Sequence, residues 1–450
     1  MTAPDLKLTF PRQLAYCCGQ AGNVLSESLI ATYLLSFYLP PARAGEAERS
    51  LLPGLVWGVI GAMTLANLVA RGIDTFLDPL VANWSDNARS RLGRRRIFML
   101  VGALPLALAT ATVFFPPTDD ASNLNVAWVA VVLTSYYASF SVYVAPYLAM
   151  LPEIAPDKAL NVRVSTMMAA FALVGGLIAI NGGGALVAAL GSDSFEERQR
   201  SMQTMVAILA GVALVLLMIP VLFVPEPRLV APPVAGGPHP GLLDSLRKTF
   251  ADRAFVPYVI GTTAFAFGFN IVRSALDYFA KVLMHEPEGS MVPTALFVVA
   301  ALAFPLVGML VGRVGKKPVM VGGALLLAAA LASFWFVDGV VLGVVLLAVS
   351  GVGVSVFLAV PNAMLSDICQ ASARRTGERR EAMFFGAQGF LQKINLGIST
   401  GVLEELLKMG HSVDHPVGVR LAGPVAALVL VGAAIAYSRY PERRIAAELA

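Results

Sequence analysis

The sequence predicts an all-α polytopic membrane protein of about twelve transmembrane helices, arranged as two six-helix bundles. Three observations carry that reading. Hydrophobic residues are 57% of the 450 and charged residues only 14%, more apolar surface than a soluble chain of this length can bury. The apolar residues fall in blocks of about 20, the span of a bilayer core. A cationic loop at Arg91–Arg96 has a reduced echo at Gly312–Pro318, the equivalent place in the second half, as an internal duplication would leave it.

The first span is expected at about Leu14–Tyr38, with Gln20, Asn23 and Glu27 on one polar face. Its apolar block is too long for a cleaved signal peptide. The second span starts after Pro53 and runs to about Trp84. On it Arg71, Asp74 and Asp78 recur at spacings of three and four, so they share a face, which Asn67 and Thr64 extend. Trp57 and Trp84 are interface anchors, and the 27 steps between them rise about 40 Å, the whole bilayer with its headgroups. Asp78 then lies about 9 Å inside the Trp84 anchor and Asp74 about 15 Å inside. A charge at helix centre costs roughly 2.5–3.5 kcal/mol on insertion scales, so the two carboxylates are read as functional. The bland alternative is a helix that ends near Arg71 and leaves both aspartates solvated. Phe76, Leu77, Leu80 and Val81 argue against it by continuing the apolar face.

The loop that follows gathers Arg89, Arg91, Arg94, Arg95 and Arg96 around Asp86. It serves as a topology determinant, and the sharper expectation is a gate. Asp86 can accept hydrogen bonds from guanidinium groups, and Gly93 lets the loop turn tightly.

Spans three to six are expected near Ile97–Phe115, Val126–Leu151, Val164–Leu190 and Met202–Val224. The fourth is rich in phenols and hydroxyls, among them Tyr136, Tyr137, Ser141 and Tyr147. The fifth is rich in glycine, which permits close helix contact. A proline- and glycine-rich stretch, Pro225–Gly241, reads as a linker and feeds an amphipathic segment, Leu242–Phe250, suited to the membrane surface. The expected domains are residues 1–224, the first bundle; 225–253, a cytoplasmic linker with its surface helix; and 254–450, the second bundle with a basic tail.

In that second bundle, spans fall near Phe255–Met284, Val292–Val311, Val319–Phe336, Val340–Met364, Ala382–Leu407 and Val417–Ser438. The seventh carries Asn270, Arg273, Asp277 and Lys281, spaced to neutralise one another as a structural ion cluster. The eleventh sets Gln388, Gln392, Asn395 and Ser399 in one stripe, with Lys393 beside it. Glu404 and Glu405, near its outer end, are expected to be solvated. Most of the 33 lysines and arginines lie at the N-terminus, in loops between even and odd spans, and in the tail. Both termini are therefore expected on the cytoplasmic side of the cell's inner or plasma membrane.

Other functions find little support. Three cysteines form neither a disulfide framework nor a metal spacing. The four histidines lie in loops and no serine sits in a catalytic glycine elbow, so neither an enzyme nor a cofactor is expected. The expected partners are the bilayer and a small-molecule substrate; nothing points to nucleic acid, and the chain is expected to act as a monomer. A non-transporting sensor or scaffold is the alternative of another class, but it needs no paired carboxylates inside a membrane helix.

Two motifs carry a family resemblance. Asp74, Asp78-Pro79, Ser85-Asp86 and Arg91-Leu92-Gly93-Arg94-Arg95 resemble the helix 2–3 signature of the glycoside–pentoside–hexuronide cation symporters. These form the melibiose permease branch of the major facilitator superfamily. Asp367, then Thr376-Gly377-Glu378-Arg379-Arg380-Glu381, Phe385 and Lys393, resemble that branch's helix 10–11 loop and helix 11 lysine. Pro146-Tyr147, Pro152-Glu153, Asp157 and Arg163 match its helix 4–5 region more loosely.

The resemblance implies the major facilitator fold and cation-coupled symport of a small, glycoside-like organic substrate by alternating access. It implies a cation site at Asp74 and Asp78, with Ser141 where the family has a helix 4 hydroxyl, and Lys393 near cation and substrate. Asn23, Glu27, Tyr147, Gln392 and Lys393 are the expected substrate contacts. Asp86, Arg91, Gly93, Arg94, Asp367 and Arg380 are the expected gating residues.

Departures from the pattern bear on substrate and ion. Val144 and Leu148 stand where melibiose permease has its sugar-binding aspartate and the tryptophan after it, and nothing charged stands near Ala169–Phe171. The sodium-dependent lysophosphatidylcholine symporters of the same branch also lack those anchors, and Lys393–Thr400 is similar to their helix 11. A lysophospholipid or other amphiphile is therefore the alternative substrate. Leu77 stands where sodium-using sugar carriers often have an amide. A sodium ion would find fewer oxygens there, whereas a proton needs no coordination shell, so H+ suits the site at least as well as Na+. Two carboxylates at i,i+4 in a poorly solvated helix resist joint ionisation, and Arg71, one turn away, relieves them.

Overall fold

The computed structural model describes residues 9–42, 49–53, 61–88, 90, 92–155, 158–191, 194–226, 249–286, 292, 294–376 and 381–449. The side chains at 75, 76, 78, 79, 82, 83, 86, 87, 152, 158, 159, 161, 162, 381 and 382 are outside that description. The described chain is helical, apart from turns, connecting loops and an isolated backbone bridge between Ala42 and Ser412. Helices α1 (Phe10–Tyr38), α2 (Ala62–Asn87), α3 (Arg96–Thr112) and α4 (Asn123–Ile154) come first. Helix α5 runs from Lys158–Leu177 through a π turn, Ile178–Gly182, to Gly183–Leu190, and α6 is Phe195–Phe223. The second half has α7 (Phe255–Tyr278, then a π turn Phe279–Leu283), α8 (Thr294–Val314) and α9 (Lys316–Ala332). Helix α10 comprises Val340–Ala359 and, after a bend at Val360, Pro361–Thr376; α11 is Glu381–Leu407, α12 Val417–Ser438 and the short α13 Glu442–Leu449.

Local chemistry sets several helix ends. Pro11 lies in the first turn of α1, where its missing N–H would have had no helical partner. The Ser122 hydroxyl accepts the Asn125 N–H at 3.2 Å to cap α4. Ser194 and Glu197 form a reciprocal capping box at the start of α6, at 3.1 and 3.3 Å. Among the described residues eight helices are long and apolar enough to cross a membrane. Helices α1, α2, α3 and α11, with the short α13, fall outside that set, and α1, α2 and α11 carry most of the polar and charged candidates.

The chain divides into two compact units. One comprises Met1–Pro40, Arg49–Pro233 and Pro287–Met291, the other Pro41–Glu48, Val234–Glu286 and Val292–Ala450. Within the first, α1 packs on α5 and α6, α2 on α4, and α3 on α4 and α6. Within the second, α7 packs on α11 and α12, α8 on α10, and α9 on α10 and α12. Each pair thus has its counterpart six helices later, so the duplication hinted at by the loops extends to the packing. Buried phenols tie helices together where apolar contact alone has no driving force in lipid. Tyr38 donates to the Val113 carbonyl at 2.6 Å and Tyr143 to that of Leu217 at 2.7 Å.

Helix α2 continues without a break past Arg71 to Asn87, which removes the alternative of an early end. The α7 ion cluster forms in part, with Lys281 Nζ 2.9 Å from Asp277 Oδ2. One expectation is overturned: the Glu404 side chain is only 1% exposed and pairs with Lys408 at 3.8 Å, while Glu405 stays exposed. Helix α12 covers this end of α11, where a Cβ on Gly418 would meet the Leu406 carbonyl. Trp57 and most of the linker with its amphipathic segment lie outside the described residues.

Candidate functional site

The candidate cation site is built where α2 meets α4. Asp74 on α2 is 2% exposed. Ser141 on α4, equally buried, donates its hydroxyl to Asp74 Oδ1 at 2.6 Å. Arg71, one turn earlier, sets Nη1 3.6 Å from Asp74 Oδ2. Its guanidinium carbon lies 3.7 Å from the centre of the Tyr137 ring, one turn before Ser141 on α4. A buried carboxylate needs hydrogen-bonding and oppositely charged partners of this kind, because burial without them is costly. Asp78 follows one turn further along α2, on the same face; its side chain lies outside the described residues.

The expected substrate residues belong to different units. On α1, Asn23 is buried, with its Oδ1 lacking a hydrogen-bond partner among the described residues, and Glu27 is half-buried. On α11, Gln392 and Lys393 are both half-buried. Tyr147 on α4 is buried. It stacks on Tyr16 at 4.6 Å and donates to the Tyr16 carbonyl at 2.8 Å, while Tyr16 donates to the Tyr147 carbonyl at 2.5 Å. These contacts clasp α1 to α4.

The arginine loop is organised by acids that sequence reasoning passed over or placed only loosely. Asp86's side chain, Arg91 and Arg380 lie outside the described residues. Arg94 and Arg95 both reach Glu153 at the end of α4, at 2.5 and 2.7 Å. Glu226, just after α6, accepts the backbone N–H groups of Arg95 at 3.0 Å and Arg96 at 3.2 Å. Gly93 makes room for it: φ is +114°, and a Cβ there would collide with the Glu226 carboxylate.

The second unit repeats the device. Gly315 has φ +93°, and Glu442 accepts the N–H groups of Lys316 at 2.5 Å and Lys317 at 3.1 Å. Lys316 Nζ pairs with the expected gating residue Asp367 at 2.5 Å. A signal for the two glutamates was present in the sequence. Val-Pro-Glu-Pro-Arg at 224–228 and Tyr-Pro-Glu-Arg-Arg at 440–444 follow the sixth and twelfth spans alike.

The family described as MFS/sugar transport protein matches residues 15–434. The chain belongs to that family. Among relatives of this family member, an uncharacterized symporter of Synechocystis sp. is 24% identical, over 87% of this chain and 84% of its own. The isoprimeverose transporter of Lactiplantibacillus pentosus is 24% identical, over 90% of this chain and 81% of its own. A solved bacterial homolog of the human lysosomal transporter Spinster, inward-facing and occupied, matches with a TM-score of 0.67 at 13% identity, covering 95% of both chains. That last likeness establishes the fold. The fold is the all-α major facilitator fold, and the glycoside–pentoside–hexuronide branch read from the two loop motifs is borne out. The protein is an integral membrane protein and a secondary transporter, not an enzyme.

Proposed function

We propose that this transporter couples a small, glycoside-like organic solute to a cation, H+ or Na+, by alternating access, with the cation held at Asp74 and Asp78. The observation that carries the reading is the buried Asp74 carboxylate, bonded by Ser141 at 2.6 Å on a neighbouring helix. Such a group is costly in a membrane and is retained where it binds or moves charge. One positive charge moving down about 100 mV releases about 2.3 kcal/mol, enough for roughly fifty-fold accumulation. Asn23, Glu27, Tyr147, Gln392 and Lys393 supply the contacts for the solute. Arg94 with Glu153 and Glu226, and Lys316 with Asp367, are the pairs that form and break as the cytoplasmic side closes and opens. Asp86, Arg91, Gly93 and Arg380 belong to the same gate, and both termini face the cytoplasm of an inner or plasma membrane. The relative named as an isoprimeverose transporter supports the glycoside reading.

A second reading, a lysophospholipid or other amphiphile, is favoured by one feature. Position 144 on α4 is an apolar, buried valine, while α11 offers the half-buried Lys393 for an anionic head. Uptake into proteoliposomes, under a sodium gradient or a pH gradient imposed alone, tests the function with panels of glycosides and lysolipids. Accumulation of one class under one gradient is expected. Equal uptake with and without either gradient would overturn symport.

A further inference from the structure

Beside the Asp74 carboxylate the protein already holds a positive charge of its own. Arg71 Nη1 is 3.6 Å from Asp74 Oδ2, too far for a hydrogen bond, and the guanidinium carbon is 3.7 Å from the Tyr137 ring centre. The other carboxylate oxygen takes the Ser141 O–H. Guanidinium and carboxylate otherwise close into a short, often bidentate pair. Here the ring face, negative by its quadrupole, offers the cation a second seat on α4.

We infer that Arg71 is a resident rival of the coupling cation at Asp74, and that the ring of Tyr137 sets how strongly it competes. The inference rests on the preceding reading of Asp74 as the coupling site. A metal ion and the guanidinium stabilise the same oxygens through the same Coulomb attraction, and they repel one another when both are close. A bound Na+ must therefore work against Arg71. The arrangement thus weakens Na+ binding at Asp74, and Tyr137, which draws the rival away, limits that weakening. Tyr137 is a positioning residue, since it acts through Arg71.

The test uses purified full-length protein without substrate. NaCl is titrated against choline chloride at constant ionic strength, and the half-saturating Na+ concentration is read from the thermal unfolding midpoint. Arg71→Gln removes the rival and should lower that concentration by about tenfold or more, or create a Na+ response if the wild type has none. Tyr137→Leu frees the guanidinium to close on Asp74 and should raise it by about tenfold, or leave it absent. Tyr137→Phe keeps the ring but not the hydroxyl that hydrogen-bonds Arg71, and should fall between wild type and Tyr137→Leu. Structural damage would move both disruptive variants the same way, so shifts of one sign would overturn the inference, as would an Arg71→Gln protein blind to Na+. A Na+ response that survives Asp74→Asn would instead overturn the coupling-site reading beneath it.

Discussion

Glu226 and Glu442 hold corresponding places in the two halves of the chain. Each follows a proline just past the last long helix of its unit, and each sets a carboxylate on two backbone N–H groups at the start of that unit's third helix. The orphan N–H groups and positive end of a helix N-terminus favour a carboxylate there. In both cases a glycine at positive φ, Gly93 or Gly315, leaves the space the acid fills.

The two glycines should therefore resist substitution. Gly93→Ala adds a Cβ in the left-handed region against the Glu226 carboxylate and should cost about 1–3 kcal/mol. Gly315→Ala, whose Cβ would lie 3.0 Å from both Glu442 oxygens, should cost a similar amount. Glu226→Gln keeps an acceptor and should cost about 1 kcal/mol. Thermal unfolding of the purified protein reads all three, and a neutral Gly93→Ala would rule out this cap.

Ser141 and Asp74 should separate by role. Ser141→Ala leaves a buried carboxylate oxygen short of a donor, a loss of about 1–3 kcal/mol, and should weaken uphill accumulation without abolishing it. Asp74→Asn should abolish accumulation while counterflow of labelled substrate persists. If Asp74→Asn vesicles accumulate substrate like wild type, the carboxylate does not couple transport.

Lys393 is half-buried midway along α11. Lys393→Ala should eliminate accumulation while expression and membrane insertion stay near normal. Selective loss of affinity for substrates with anionic heads would point to the amphiphile reading, and wild-type transport would make the lysine structural.

The proposed topology sets Asp119 and Asp338 outside and the linker inside. Single cysteines at Asp119 and Asp338 should react with a membrane-impermeant maleimide in intact cells, while Ala235→Cys should react only after lysis. Labelling at position 235 in sealed cells would invert the orientation.

The sequence by itself determined the helical class, the approximate spans, the charged face of α2 and the family, because hydropathy, helical period and loop motifs are properties of neighbouring residues. Ser141 as a partner for Asp74 came through the resemblance, since spacing assigns a residue to a face of its own helix and is silent on what packs there. Tertiary structure alone decided the rest. It gave Arg71 the Tyr137 ring as a seat, clasped Tyr147 to Tyr16, and buried Glu404. It also brought Glu226 to α3 from more than a hundred residues away. These depend on which helix face meets which neighbour. In a bilayer, where lipid is as apolar as most side chains, interhelical packing and polar pairing make that choice.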